Sequence, residues 1–196
     1  MGLYDRQESI KLKNLDKPIA VLGCGGVGFW LAKFAAMSGV KTLYLFDPDV
    51  LEEHNLNRID LPYRWLGKNK AQATKNYITE IREDIKIIAF PFIMQEHTLP
   101  NDTAIIVDCT DNFNSQMKNQ SIANDRGIRY IKAGYNGTHM TISNSVAEWG
   151  EAPDGYTIIP SWVVPSVVVA SMTVGKILKY DGVELSTDLE KMYNER

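Results

Sequence analysis

Apolar positions along the chain gather into short continuous runs separated by longer stretches of mixed character. Ile19 to Leu22 is an apolar run of strand length that ends in glycines, and Val27 to Met37 is apolar on most helix faces. This pattern predicts a strand, a tight turn and a buried helix stopped by Ser38-Gly39. Lys41 to Phe46 predicts a second strand that breaks at Asp47-Pro48, and a polar, irregular stretch follows from Asp49 to Tyr63.

Lys68 to Asp84 carries Ala71, Ala73, Tyr77, Ile78 and Ile81 among polar residues, which predicts a helix with one wet face. Ile85 to Phe90 and Ala104 to Val107 are the third and fourth strands, and a polar helix runs from Asp111 to Arg126 with Gly127 as its stop. Ile128 to Gly134 reads as another strand, and Thr138 to Val146 alternates like an exposed antiparallel one. Ser166 to Tyr180 closes as a strongly apolar helix. Strands alternating with helices predict an α/β fold: a Rossmann-like, mostly parallel twisted sheet with helices on both faces and some antiparallel strands in the C-terminal half.

Composition narrows the functional classes. Of 196 residues, 44% are hydrophobic and 23% charged, which excludes a disordered or collagen-like chain. The net charge is −3, and Lys and Arg nowhere cluster with interleaved aromatics, so no nucleic-acid partner is expected. Cys24 and Cys109 cannot build a disulfide framework, and MGLYDRQESIK lacks signal-like character; a cytoplasmic location with reduced thiols is expected. Arg6 stands where N-myristoylation needs Ser or Thr. Gly155 to Gly175 is uncharged but holds Pro160, Pro165 and many hydroxyls, predicting a buried loop and helix and no membrane span. His54, His97 and His139 lie far apart, so no zinc site is expected.

The candidate chemistry collects at strand ends. Gly23-Cys24-Gly25-Gly26-Val27-Gly28 satisfies G-x-G-x-x-G between a strand and a helix, where glycines let the backbone approach a phosphate beside the helix N–H groups. Asp47, ending the next strand, is placed to accept ribose hydroxyls. To this point NAD and ATP are equally served. Asn55 and Arg58 then follow in D-P-D-V-L-E-E-H-N-L-N-R, and Lys70 follows in G-K-N-K. A triphosphate in an acidic protein needs local cations, and charge-assisted hydrogen bonds contribute about 1.5–3 kcal/mol each. Lys70 lies near a helix start, where the dipole disfavours a cation, and this hints at an anionic ligand. Asp108-Cys109-Thr110-Asp111 ends a further strand at the same crevice, where a lone carboxylate beside phosphates suits Mg²⁺.

The glycine loop, the D-x-D-x-V-x-x-x-N-L-x-R segment with Leu51 at its Val position, the Lys in G-x-x-K and D-C-T-D-N occur in this order from Gly23 to Asn112, and together they resemble the ThiF/MoeB adenylyltransferases of the ubiquitin-activating-enzyme-like superfamily. The resemblance implies that Gly23, Gly25, Gly26, Gly28, Asp47 and Asp49 cradle ATP, with Asp47 on the ribose. Asn55, Arg58 and Lys70 would hold and polarise the phosphates, and Asp111 would bind Mg²⁺ and act in catalysis. Asp108 is read as a structural acid capping its turn. Arg6 matches an Arg that reaches the phosphates of the neighbouring subunit, so a homodimer is implied. The implied reaction is adenylation of a C-terminal carboxylate, of a ubiquitin-like protein or a peptide, with release of pyrophosphate.

By the same resemblance, residues 1–196 form a single adenylation domain: an arm (1–17), a nucleotide-binding part (18–133), a shortened acceptor-side region with the closing helix (134–180) and a tail (181–196). The chain departs from the family in lacking paired C-x-x-C ligands and a transfer cysteine, and Gln116 replaces an Arg. Cys24 and Cys109 are read as packing residues. Tyr135, His139, Trp149, Tyr156 and Trp162 line a peptide groove or pack beneath a loop, His139 as a strand-face histidine. Two other readings stay open. An NAD-dependent Rossmann oxidoreductase leaves Arg58, Lys70 and D-C-T-D unexplained, and a non-catalytic nucleotide-binding module would keep the fold only to dock a partner.

Overall fold

The computed structural model describes residues 1–146 and 160–194. The chain enters through a 3-10 turn (Asp5–Ile10) and then alternates: β1 (Ile19–Leu22), α1 (Gly26–Met37), β2 (Thr42–Phe46), α2 (Lys70–Ile81), β3 (Lys86–Phe90), β4 (Ile105–Asp108) and α3 (Phe113–Asp125). It continues as β5 (Arg129–Asn136), β6 (His139–Ser143), α4 (Val163–Leu178), β7 (Leu185–Asp188) and α5 (Leu189–Asn194). These strands form one sheet in the order β3-β2-β1-β4-β5-β6-β7, parallel from β3 to β5 and antiparallel at β6 and β7.

Successive strand residues point to opposite faces, and the sheet sorts its core accordingly. Ile19, Val21, Leu43, Leu45 and Val107 face one layer with Leu31 and Ala35 of α1, Ile78 of α2, Val169 and Ile177 of α4, and Leu189 of α5. Ala20, Leu22, Tyr44, Phe46 and Ile106 face the other with Ile122 and Ala123 of α3. Among the described residues the sheet therefore carries helices on both faces, α1, α2, α4 and α5 on one and α3 on the other. β1 and β4 are buried at every residue, which explains their unbroken apolar runs.

The expectation of an exposed strand over Thr138 to Val146 is corrected. β6 is antiparallel, but Met140, Thr141 and Ile142 are buried because β7 hydrogen-bonds its far side and α5 packs nearby. The 181–196 stretch, left as a tail by the sequence, supplies that strand and helix. Lys176, buried on α4, holds its approach by donating to the Asp181 carbonyl at 3.1 Å and to the Val183 carbonyl. No helix among the described residues is long and apolar enough to cross a membrane.

The sheet order places β1 beside both β2 and β4, so the chain departs in opposite directions from neighbouring strands. A crevice opens at the carboxyl ends of β1 and β4, the switch point where ligands of open α/β sheets sit.

Candidate active site

The glycine loop shapes the crevice floor. Gly23 turns out of β1 with φ +86°, a conformation that side chains resist, and a Cβ there would lie 3.1 Å from the Cys109 carbonyl oxygen. A Cβ on Gly28 would lie 1.8 Å from the Gly23 carbonyl oxygen, so α1 packs on the turn at a distance closed to any other residue. At Gly25, which caps α1, a Cβ would meet nothing within 4 Å. Space is thus left beside the N-cap of α1 and its unpaired first-turn N–H groups, while Ser166, Arg58 and Tyr135 close over Gly26.

Asp47 is buried and serves the loop directly. Its carboxylate accepts the Cys24 N–H at 2.6 Å and the Asp49 N–H at 2.8 Å. Burial pushes its carboxyl above the usual value, opposed by those N–H groups and the Lys70 charge. Each carboxylate oxygen offers two lone pairs, so acceptor capacity for a ribose hydroxyl persists beside these bonds. Asp49, by contrast, is largely exposed and pairs with Lys70 Nζ at 3.0 Å. The Lys70 side chain is only 13% exposed, so this cation lies along the crevice wall and not out in solvent. Asn69 caps α2 and also donates to the Asp47 carbonyl at 2.7 Å, which stitches the start of α2 to the end of β2.

Asn55 is buried, and its Oδ1 accepts the Glu52 N–H at 3.0 Å, closing a 3-10 turn (Glu53–Asn55). That turn presents Arg58, whose Nη1 donates to the His54 carbonyl and to Asn57 Oδ1, each at 2.9 Å. Arg58 has no carboxylate within ion-pair distance among the described residues. Its Cδ would lie 3.2 Å from a Cβ on Gly26, so the guanidinium stem runs over the glycine loop.

Across the switch point, Asp108 is fully buried. Its Oδ1 accepts the Thr110 N–H at 3.0 Å and hydroxyl at 2.6 Å, and its Oδ2 accepts from Asn119 at 2.9 Å and Tyr130 at 3.0 Å. It is the structural acid of the turn. Asp111 leaves the same turn exposed, one residue before Asn112 caps α3. Glycine loop, Lys70, Arg58 and Asp111 therefore gather at one crevice. A helix N-terminus with space beside its Gly25 cap, flanked by cations and with an exposed carboxylate opposite, fits a triphosphate and a divalent cation.

Other residues fall elsewhere. Arg6 is exposed on the N-terminal 3-10 turn, which is tied to the far end of α1 by Gln7 Nε2 donating to the Ser38 carbonyl at 2.9 Å. Tyr4 seats beside Gly39 and donates to the Asp84 carboxylate at 2.5 Å. That turn sits at the amino end of β2, so the chain does not bring Arg6 to its own crevice. Cys24 is buried in the core and Cys109 packs against it. Burial pushes the Cys24 thiol well up and the Cys109 thiol to about 12, which makes both poor nucleophiles. His139 lies half-buried on β6 with Nε2 3.4 Å from Ser186 Oγ. Trp149 and Tyr156 lie outside the described residues.

Sequence reasoning missed two residues here. Lys132 on β5 stands opposite Asp108 in register, is 5% exposed, and donates through Nζ to the Thr110 carbonyl at 2.6 Å and the Asp108 carbonyl at 3.4 Å. Burial lowers its pKa, against the pull of Asp108, Cys109 and Asp111. Its signal was a lysine inside the apolar run Ile131 to Ala133. Ser166, buried in the first turn of α4, donates to the Trp162 carbonyl and meets the Tyr135 hydroxyl, each at 2.9 Å, beside Gly26. No local pattern marked it.

Fold and site together define a Rossmann-type domain with a glycine-headed, cation-lined crevice at its switch point. The chain belongs to the ThiF family, whose model matches residues 3–151. Among curated proteins it is similar to the ubiquitin-like modifier-activating enzyme 5 of Branchiostoma floridae, 28% identical over 93% of this chain and 46% of that protein. The enzyme of the same name from Caenorhabditis elegans is 25% identical over 93% of this chain and 45% of its own. The chain thus spans about half the length of these relatives. Among solved structures, Escherichia coli MccB with ATP matches with a TM-score of 0.79 at 20% identity, over 96% of this chain and 72% of that one. PaaA matches at 0.70 and 24%, over 90% and 62%. These likenesses show the fold.

Proposed function

We propose that this chain is an ATP-dependent adenylyltransferase that activates a C-terminal carboxylate of a ubiquitin-like protein or a peptide. The observation that carries the reading is the convergence of Arg58 and Lys70 on the glycine loop, with space beside Gly25 and the exposed Asp111 at the end of β4. The relatives named as modifier-activating enzymes and the ATP-bound MccB support it. In this reading the α1 N–H groups, Arg58 and Lys70 hold the phosphates and neutralise charge that develops as the α-phosphate is attacked. Asp47 and Asp49 orient the ribose, and Asn55 fixes the turn that presents Arg58. Asp111 holds Mg²⁺, which supplies further charge neutralisation at the phosphate oxygens. The carboxylate oxygen bonds to the α-phosphorus, pyrophosphate leaves, and an acyl-adenylate remains, with no enzyme thiol involved. Arg6 acts on the partner protomer's site in a homodimer.

Arg58→Ala, Lys70→Ala and Asp111→Ala should each abolish acceptor-dependent ATP–pyrophosphate exchange while far-UV circular dichroism stays native. Full exchange in all of them rejects the assigned roles. A thermal-shift comparison separates the redox alternative: a ligand at about 100 times its Kd adds about 2.7 kcal/mol of stability. Mg·ATP should raise Tm where NAD⁺ does not.

A further inference from the structure

One carbonyl in the turn between β4 and α3 carries an unusual load. The Thr110 oxygen accepts from Gln116 Nε2 on α3 and from Lys132 Nζ on β5, each at 2.6 Å. Both donors are buried, and Lys132 has no carboxylate within ion-pair distance among the described residues. Asp108, the acid opposite it, already accepts from Thr110, Asn119 and Tyr130. A buried lysine facing neutral carbonyls costs stability, and an apolar side chain of similar length would suit the core better. What the amine supplies is a fixed position for the Thr110 carbonyl. That oxygen belongs to the planar peptide joining Thr110 to Asp111, so holding it sets the orientation of the peptide plane and the direction in which the Asp111 side chain leaves the turn.

We infer that Lys132 is a positioning residue that, with Gln116, locks the Thr110–Asp111 peptide and so aims the Asp111 carboxylate. The cation reaches the turn from β5 and the amide reaches it from α3. The kinetic consequence rests on the proposed function; the geometric one does not.

The test uses the full chain with Lys132→Met, Gln116→Leu and the double variant. Amide hydrogen exchange is followed without ligand at Thr110 and Ser115, whose N–H groups are hydrogen-bonded to Asp108 Oδ1 and Asn112 Oδ1 on either side of Asp111, and ATP–pyrophosphate exchange is followed with Mg·ATP and acceptor. In Lys132→Met the two amides should exchange about tenfold faster, and faster still in the double variant, while core amides of β1 stay protected. A misaimed group loses about tenfold to a hundredfold in kcat with KM for ATP unchanged, a split that general destabilisation does not produce. Should Lys132→Met fail to fold, Gln116→Leu alone loosens the same carbonyl and reads the same amides. Unchanged exchange at Thr110 and Ser115 in the folded variants overturns the inference, as does a wild-type kcat in an active protein. A wild-type protein without pyrophosphate exchange rejects the proposed function instead and leaves the amides to decide.

Discussion

At the scale of single residues, the crevice is built from side chains chosen for what they omit. Gly28 omits a Cβ that would collide with the Gly23 carbonyl, and Gly25 leaves space beside the cap of α1. Cys24 and Cys109 line the same turns but omit reactivity: burial raises both thiols far above neutral pH, so the thiolate fraction at pH 8 is negligible. Native protein held at pH 8 with iodoacetamide should therefore stay unlabelled at both positions by intact-mass spectrometry and gain both labels in denaturant. Rapid native labelling of either thiol would contradict the packing role.

At the scale of elements, α1, α2 and the irregular segment between β2 and α2 meet at Asp60. Its carboxylate accepts from Lys33 of α1 at 2.8 Å and Tyr77 of α2 at 2.9 Å. Burial opposes its ionisation, yet those partners hold its pKa below the usual value. A carboxylate whose folded pKa lies below its unfolded one contributes stability above the unfolded value and loses it as pH falls through the folded one. Tm should drop as pH goes from about 5 to 2, and Asp60→Asn should flatten that slope. An identical slope in the variant means that the contact does not bind the two helices together. Elements were also what the sequence made most legible. Ile19–Leu22 and Ile105–Asp108 announced central strands because burial on both faces permits unbroken apolar runs. β7 escaped because Leu185–Asp188 alternates weakly on an edge, and only its pairing with β6 makes it a strand. β6 looked exposed because nothing local reveals the cover that arrives some forty residues later in the chain.

At the scale of the whole molecule, the proposed role of Arg6 would make the site incomplete in one protomer. The glycines, Asp47 and D-C-T-D were legible because they sit at strand ends, which topology brings together, and Lys70 because it opens the helix α2 beside them. Lys132 and Ser166 were not, since a hydrogen bond from β5 or α4 to a turn leaves no local spacing to read. Arg6 lies at the opposite end of the sheet, so its proposed action requires a second copy. Arg6→Ala and Lys70→Ala proteins, each inactive alone, should regain about a quarter of wild-type exchange when mixed, because half the dimers then hold one intact site. No recovery from a mixture proven to form mixed dimers would sink the action in trans.

The last strand also acts as a stopper. Ending the protein at Tyr180 would strip the outer rail from β6 and lay bare the peptide groups along Met140 to Ile142, an invitation to foreign strands. Such a shortened chain should scatter more light with rising concentration than the full one. If it stays as monodisperse as the parent, β7 is an ornament of the sheet and not its guard.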